Sequence, residues 1–389
     1  MKKRLLLLFV IYAAFIALGL PDALLGSGWN QVRSDLGVSL SSLGLMTVLV
    51  YIATTLSTFN APRLIRLLKT KRMTFISILF TGVSLILMSQ VTEFYQLLFF
   101  AIPLGMGAGA IDVSLNHYLS MHYEAKHMNY LHSFYGIGVT LGPSIMAYQL
   151  KAHSWRGAYL IVGGILVFIA LLIWASFPLW HKESKAEVED SHKSFKVRDI
   201  LKTKGALESI LIFLFYVHLE SLAGVWIASY FYIEKGVSIS LAAVFTTVYY
   251  LVFTVGRLTA GFLSSRIRAQ ALVAIGLVLM ISGALMMFVK TDATWYYFLV
   301  VGLFGFGCAP VFPNMMFINS LHFEKEKLSK IISLQMGVGY MGFGLLTPLA
   351  GLLFDKLGIN LFPYLLVLVA FIITLLYVRF LQKTKVILE

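Results

Sequence analysis

Long apolar runs recur from one end of the chain to the other, separated by short polar stretches. They lack the alternating polarity of barrel strands. A bilayer core takes about 20 apolar residues in a helix. On that measure the pattern predicts twelve membrane-spanning helices, near residues 5–27, 39–60, 72–91, 95–120, 129–150, 158–180, 207–233, 239–262, 270–290, 294–320, 329–352 and 361–381. The one long polar stretch, His181–Lys204, divides six spans from six. The expected organisation is a six-helix bundle over 1–180, a linker over 181–206 and a second six-helix bundle over 207–389.

The halves echo one another at a spacing of about 200 residues, as a parallel repeat requires. Gly105-Met106-Gly107 answers Gly305-Phe306-Gly307, Arg66 answers Arg266, and Asp22 nearly answers Glu220. Two pseudo-symmetric six-helix bundles resemble the major facilitator fold, in which substrate binds at mid-membrane depth.

Composition agrees with the pattern. The chain is 59% hydrophobic and 13% charged, with a mean hydropathy of +0.84, against about 45–50% apolar and about 25% charged in soluble domains. The net charge of +13 follows topology and not one face, which argues against nucleic acid. With the N-terminus inside, 24 of the 31 Lys and Arg fall on the cytoplasmic side. Six, namely Arg33, Lys151, Arg156, Lys235, Lys290 and Lys356, fall opposite, and Arg257 lies within a span. Both termini are therefore expected to be cytoplasmic, in a multi-pass protein of the cell membrane. Lys2-Lys3-Arg4 and the apolar run behind it resemble a signal peptide, but Asp22 follows in the same span without a small-residue cleavage site. An uncleaved first helix is the better reading. Cys308 is the sole cysteine and the histidines lack ligand spacing, so neither a disulfide within the chain nor a metal centre is expected.

Apart from Glu208 at a cytoplasmic edge, three acids lie within spans and carry the functional argument: Asp22 in the first, Asp112 in the fourth and Glu220 in the seventh. An acid near the bilayer centre costs about 2.5–3.5 kcal/mol on insertion scales, so it normally faces a cavity, a partner or a proton path. Pairing with Lys or Arg is the structural alternative, but no basic residue lies mid-span in the N-terminal half. Desolvation penalises the charged form of a carboxylate, which suits a proton-carrying group. Asp112 and Glu220 are the candidates for proton coupling. Asn116, four residues beyond Asp112, shares its helical face and offers an amide to a hydroxyl-rich ligand, or else bonds between helices.

Aromatic rings suit the C–H-rich faces of sugars. Phe134 and Tyr135 on the fifth span and Tyr216, Trp226, Tyr230 and Phe231 on the seventh are candidates, with packing the alternative. His132 and His218 are placed to bind or relay protons, or to be satisfied core histidines. Asn314, directly after Pro313, either meets a ligand or satisfies carbonyls freed by the kink. Arg66, Arg257 and Arg266 read as gating or structural, Arg257 by capping carbonyls or pairing across the halves.

These residues together resemble the fucose permease branch of the major facilitator superfamily, the fucose, galactose and glucose proton symporters. The resemblance is ordered along nearly all of the chain. It rests on Pro21-Asp22-Ala23-Leu24, on Gly107, Gly109, Asp112 and Asn116, and on Asn129, Leu131, His132, Phe134 and Gly138. It continues through Phe215-Tyr216-Val217, Glu220 and Trp226, Gly256-Arg257, Ser265-Arg266, and Gly344, Thr347, Pro348, Gly351 and Asp355. It implies a proton-coupling role for the acid of the fourth span and sugar recognition by the acid of the first. Three departures stand out: Asp112 replaces the branch's usual Glu, Ala61–Lys69 after the second span lacks the superfamily's usual Asp and Gly, and Glu220 stands where some relatives have an amide.

The function expected is proton-coupled symport of a neutral monosaccharide or related polyol by alternating access. The alternative is proton-driven export of drugs or other amphiphiles. No enzymatic nucleophile and base or metal set is recognisable, and no catalytic residue is assigned. The expected partners are the bilayer and a small-molecule substrate, with the proton as coupling ion, no cofactor, no nucleic acid and a monomeric state.

Overall fold

The computed structural model describes residues 2–123, 125–181 and 197–384. The described residues are helical and contain no strands. In hydrocarbon every backbone N–H and C=O must be satisfied within its own segment, so uninterrupted apolar runs form helices. Eleven of the helical segments are long and apolar enough to cross a membrane. The remaining span, Ala125–Leu150, is long enough at 26 residues but carries His127, His132 and several tyrosines, which lower its hydropathy. The fold is an all-α membrane protein of twelve spans.

Three spans are interrupted, each beside a proline. The first is α1 (Lys2–Gly19) followed by α2 (Leu24–Leu36). Pro21 has no N–H to continue the ladder, and the turn between the two helices carries Asp22. The span expected to end at 27 runs on to Leu36, where Gly37 at φ 64 closes it. The second to sixth spans are α3 (Ser42–Leu68), α4 (Thr70–Met88), α5 (Phe94–His122), α6 (Ala125–Leu150) and α7 (Trp155–Ala175). Residues 61–68, expected to be a loop, extend α3, and the turn is confined to Lys69 at φ 68. A short helix, α8 (Val197–Leu201), follows within the expected linker, whose residues 182–196 lie outside the described ones. The seventh to ninth spans are α9 (Ala206–Ile233), α10 (Ile239–Leu263) and α11 (Ala269–Met286). The tenth comprises α12 (Thr294–Cys308) and α13 (Val311–His322), broken at Pro310. The eleventh comprises α14 (Lys325–Met341) and α15 (Thr347–Leu357), joined by a π-helical turn over Gly342–Leu346 that precedes Pro348. The last is α16 (Phe362–Thr384).

The chain forms two compact units: Met1–His192 with Ser238–Thr247, and Lys193–Val237 with Val248–Glu389. The glycine echo at a spacing of 200 is a packing echo. In the first unit a Cβ on Gly105 would strike the Val50 carbonyl of α3, and one on Gly107 would strike Thr81 and the Ser77 carbonyl of α4. In the second unit a Cβ on Gly305 would meet the Tyr249 carbonyl of α10, and one on Gly307 would meet Met280 and the Gly276 carbonyl of α11. Each half therefore wedges one span between two others through glycines, because backbones approach this closely only where no side chain intervenes.

The second unit also holds a closed polar triangle, Ser209, Asn319 and Gln335, all fully enclosed. Ser209 Oγ donates to Asn319 Oδ1 at 2.7 Å, and Gln335 Nε2 donates to Ser209 Oγ at 2.6 Å. Asn319 Nδ2 closes the triangle on Gln335 Oε1 at 3.3 Å. Satisfied in this way, buried polar groups fix the register of three spans.

Candidate functional site

In the first unit the site begins at the break in the first span. Asp22 is exposed and accepts a hydrogen bond from the Tyr135 hydroxyl at 2.7 Å on Oδ2. The donor arrives there because α1 and α6 cross at glycine: a Cβ on Gly19 would come within 2.8 Å of the Val139 nitrogen, and one on Gly138 within 3.0 Å of the Ile16 carbonyl carbon. Asp112 of α5 is the second acid of this unit. Asn116 Nδ2 donates to Asp112 Oδ1 and to the Asp112 carbonyl, each at 2.8 Å. The amide oxygen of Asn116 is left unpaired and buried. Among the described residues neither acid forms an ion pair.

Aromatic contacts join α1 and α6 elsewhere along their length. Phe134 stacks on Tyr12 with ring centres 4.7 Å apart and planes 7° apart. The Tyr12 hydroxyl in turn lies 2.7 Å from His127 Nδ1. His132 is exposed and meets Phe15 edge-on at 5.8 Å. Tyr12 was not singled out by sequence, since nothing in the first span separates it from ordinary lining. Tyr135 was counted as a ring, while its role as a donor to Asp22 depends on the α1–α6 crossing.

In the second unit Glu220 of α9 pairs with Arg257 of α10 at 3.7 Å, both side chains about one-third exposed. Arg257 thus meets an acid inside its own unit. Its guanidinium lies 4.1 Å over the Phe253 ring and 6.0 Å from that of Phe312. Tyr216 is buried, donates to the Cys308 carbonyl at 3.0 Å and packs against Phe312. The Tyr249 hydroxyl donates to the Glu220 carbonyl at 3.3 Å.

Trp226 is fully enclosed, edge-on to Phe354 at 5.3 Å, with its indole N–H directed at the Thr347 carbonyl at 3.4 Å. It stands in the packed core of its unit. Asn314 is also buried, and its amide donates to the Pro310 carbonyl at 2.7 Å, the same oxygen that accepts from the Asn314 backbone N–H at 3.3 Å. Arg66 and Arg266 are exposed near helix ends, and the Arg266 guanidinium lies 5.5 Å from the Phe262 ring. The π-helical turn of the eleventh span gathers a group that the sequence pattern did not assemble. Thr347 Oγ1 lies 2.6 Å from Ser221 Oγ and 3.1 Å from His218 Nδ1.

The Major Facilitator Superfamily model matches residues 5–245 and again 209–386. The chain belongs to the major facilitator superfamily. Among curated relatives of this superfamily member, Bypass of stop codon protein 6 of Saccharomyces cerevisiae is 24% identical over 77% of the chain and 67% of its own length. The hexuronate transporter of Bacillus subtilis is 24% identical over 44% of the chain and 43% of its own length. Solved structures share the fold at low identity. The nucleoside transporter NupG superposes with a TM-score of 0.77 at 14% identity, covering 99% of this chain and all of that one. A D-xylose-proton symporter superposes with a TM-score of 0.75 at 11% identity, covering 95% and 97%. The superfamily member is a multi-pass membrane transporter.

Proposed function

We propose that the chain is a proton-coupled symporter of a neutral monosaccharide or related polyol, working by alternating access in the cell membrane with both termini cytoplasmic. The observation that carries this reading is the acid pair of the first unit. Asp22 and Asp112 are each bonded by a neutral donor, Tyr135 and Asn116. An acid held without a counter-cation can gain and lose a proton, while a neighbouring phenol and amide suit hydroxyl groups.

In this proposal Asp112 carries the proton and Asp22 accepts hydroxyls of the solute beside Asn116 and Phe134. Glu220 is a second coupling or binding group, tuned by Arg257. The hexuronate transporter among the relatives supports a sugar-like solute. Export of cationic amphiphiles fits less well, because the third acid already meets a guanidinium. No cofactor beyond the proton is invoked, and the monomer is the working unit.

The test is a thermal-shift screen of purified protein against monosaccharides, polyols and cationic amphiphiles, since a ligand stabilises the state it binds. Reconstituted protein should then accumulate the stabilising sugar or polyol under an imposed proton gradient and lose that accumulation with a protonophore. Stabilisation by cationic amphiphiles alone would overturn the reading.

A further inference from the structure

Within the second unit a cavity of about 390 Å³ opens between the turn that follows α8, the start of α9 and the end of α16. That is the size of a small-molecule site, about 300–1,000 Å³. Gly205 lets the turn approach α16: its backbone stands at φ 81, and a Cβ there would come within 2.5 Å of Thr384 Cγ2 and 3.2 Å of the Phe380 ring. Only glycine suits that place.

The charged lining is Lys202, Lys204 and Lys383 against a single acid, Glu208. Glu208 is buried and accepts from Lys383 Nζ at 2.6 Å, which holds Lys383 at the cavity and cancels the acid. Lys202 and Lys204 are exposed, and among the described residues neither forms an ion pair. The surplus is positive. Arg379, exposed one turn before Lys383, lies on the same face of α16 and adds to it. A basic residue at the membrane edge is not always so placed: Lys71 of the first unit donates to the Phe177 carbonyl at 3.3 Å and lies over the Phe177 ring.

Apolar surface adjoins the charge, since Leu201 and Leu207 line the same cavity and both are exposed. Membrane-spanning helices begin and end here, α9 at Ala206 and α16 at Thr384, so the cavity stands where hydrocarbon gives way to headgroups. A soluble anion would use the lysines alone and a neutral lipid the leucines alone. An anionic phospholipid uses both.

We propose that this cavity binds the headgroup of an anionic phospholipid, with Lys202 and Lys204 on the phosphate and Leu201 and Leu207 against the acyl chains. Ammonium groups serve as point charges for phosphate, and basic cavities at the ends of membrane helices suit such headgroups. The site is separate from the solute site proposed above, and only its assignment to the inner leaflet rests on the proposed topology.

The experiment is native mass spectrometry of the full-length protein in detergent, titrated with phosphatidylglycerol or with phosphatidylcholine of the same acyl chains. Phosphatidylglycerol should bind about tenfold tighter or more, and Lys202→Gln/Lys204→Gln should remove about that factor while leaving phosphatidylcholine unchanged. Both lysines are exposed, so the substitutions leave the packed interior alone. Lys383 stays, because its loss would bare Glu208. Lys3→Gln/Lys327→Gln, at exposed lysines outside the lining, should keep the native preference. Glycerol 3-phosphate, which carries the phosphate without chains, should fail to displace the lipid at equal concentration. Equal affinity for the two lipids, a preference that survives without Lys202 and Lys204, or an equal loss in the Lys3/Lys327 variant would each overturn the site. Displacement by glycerol 3-phosphate would make it a site for free phosphate, and phosphatidylglycerol binding only after Glu187, Glu189 and Asp190 are neutralised would make the chain's own acids the occupant. Either result would overturn the proposal as well.

Discussion

Tyr135 donates its hydroxyl to Asp22 at 2.7 Å, joining the fifth span to the break in the first. The contact exists because Gly19 and Gly138 let α1 and α6 touch backbone to backbone, so the proline-broken turn at Asp22 faces a phenol on the neighbouring helix. A hydrogen bond to a charged group is worth about 1.5–3 kcal/mol. Tyr135→Phe should therefore weaken binding of the solute identified by thermal shift by about tenfold or more, and Asp22→Ala should weaken it further. The double variant should cost less than the sum, because the pair acts through one contact. Calorimetry on the four proteins checks this, and strict additivity would separate Tyr135 from Asp22.

Asp112→Asn keeps the shape of the side chain and removes its exchangeable charge. It should abolish uphill accumulation under a proton gradient while leaving counterflow exchange partly intact, since exchange needs binding and conformational change but no net proton release. Accumulation that persists in the variant would move proton coupling to another acid.

Gly138→Val places a branched side chain against the Ile16 carbonyl and the Gly19 backbone, where the nearest atoms cannot give way. Overpacking of this kind costs about 1–3 kcal/mol or more. The melting temperature in detergent should fall, and solute binding should fall with it as Tyr135 moves from Asp22. Gly164→Ala is the control, because a Cβ there has nothing within 4 Å. Equal melting temperatures for the two variants would refute the crossing as the determinant.

Arg257→Met leaves Glu220 without this cation, and Glu220→Gln takes this carboxylate from the guanidinium over the Phe253 ring. At 3.7 Å and about one-third exposure the pair is a modest one, about 1 kcal/mol after solvent screening. Each single variant should lower the melting temperature slightly, and the double variant should recover part of the loss. Glu220→Gln should retain affinity for a neutral sugar, since an amide still donates to and accepts from hydroxyls. Selective loss of affinity for cationic ligands in this variant would favour export instead.

The chain's sequence by itself determined the class and the count of spans, because both follow from local quantities. A run of apolar residues has one hydrogen-bonded solution in hydrocarbon, and a repeat at a spacing of 200 residues can be seen without knowing what it packs against. The three acids were legible for the same reason: a carboxylate in such a run is anomalous wherever it points. The partners of those acids were not legible, because a partner is set by which helices cross, and at what depth. Asp22 meets Tyr135 only where glycines let two backbones touch, while Glu220 and Arg257, 37 positions apart in sequence, meet only when α9 packs beside α10. Tertiary structure also separated rings and amides of similar composition, sending Trp226 and Asn314 into packed surroundings while stacking Phe134 on Tyr12. Polarity is a property of one residue and can be read one residue at a time, whereas proximity belongs to pairs and waits for the fold.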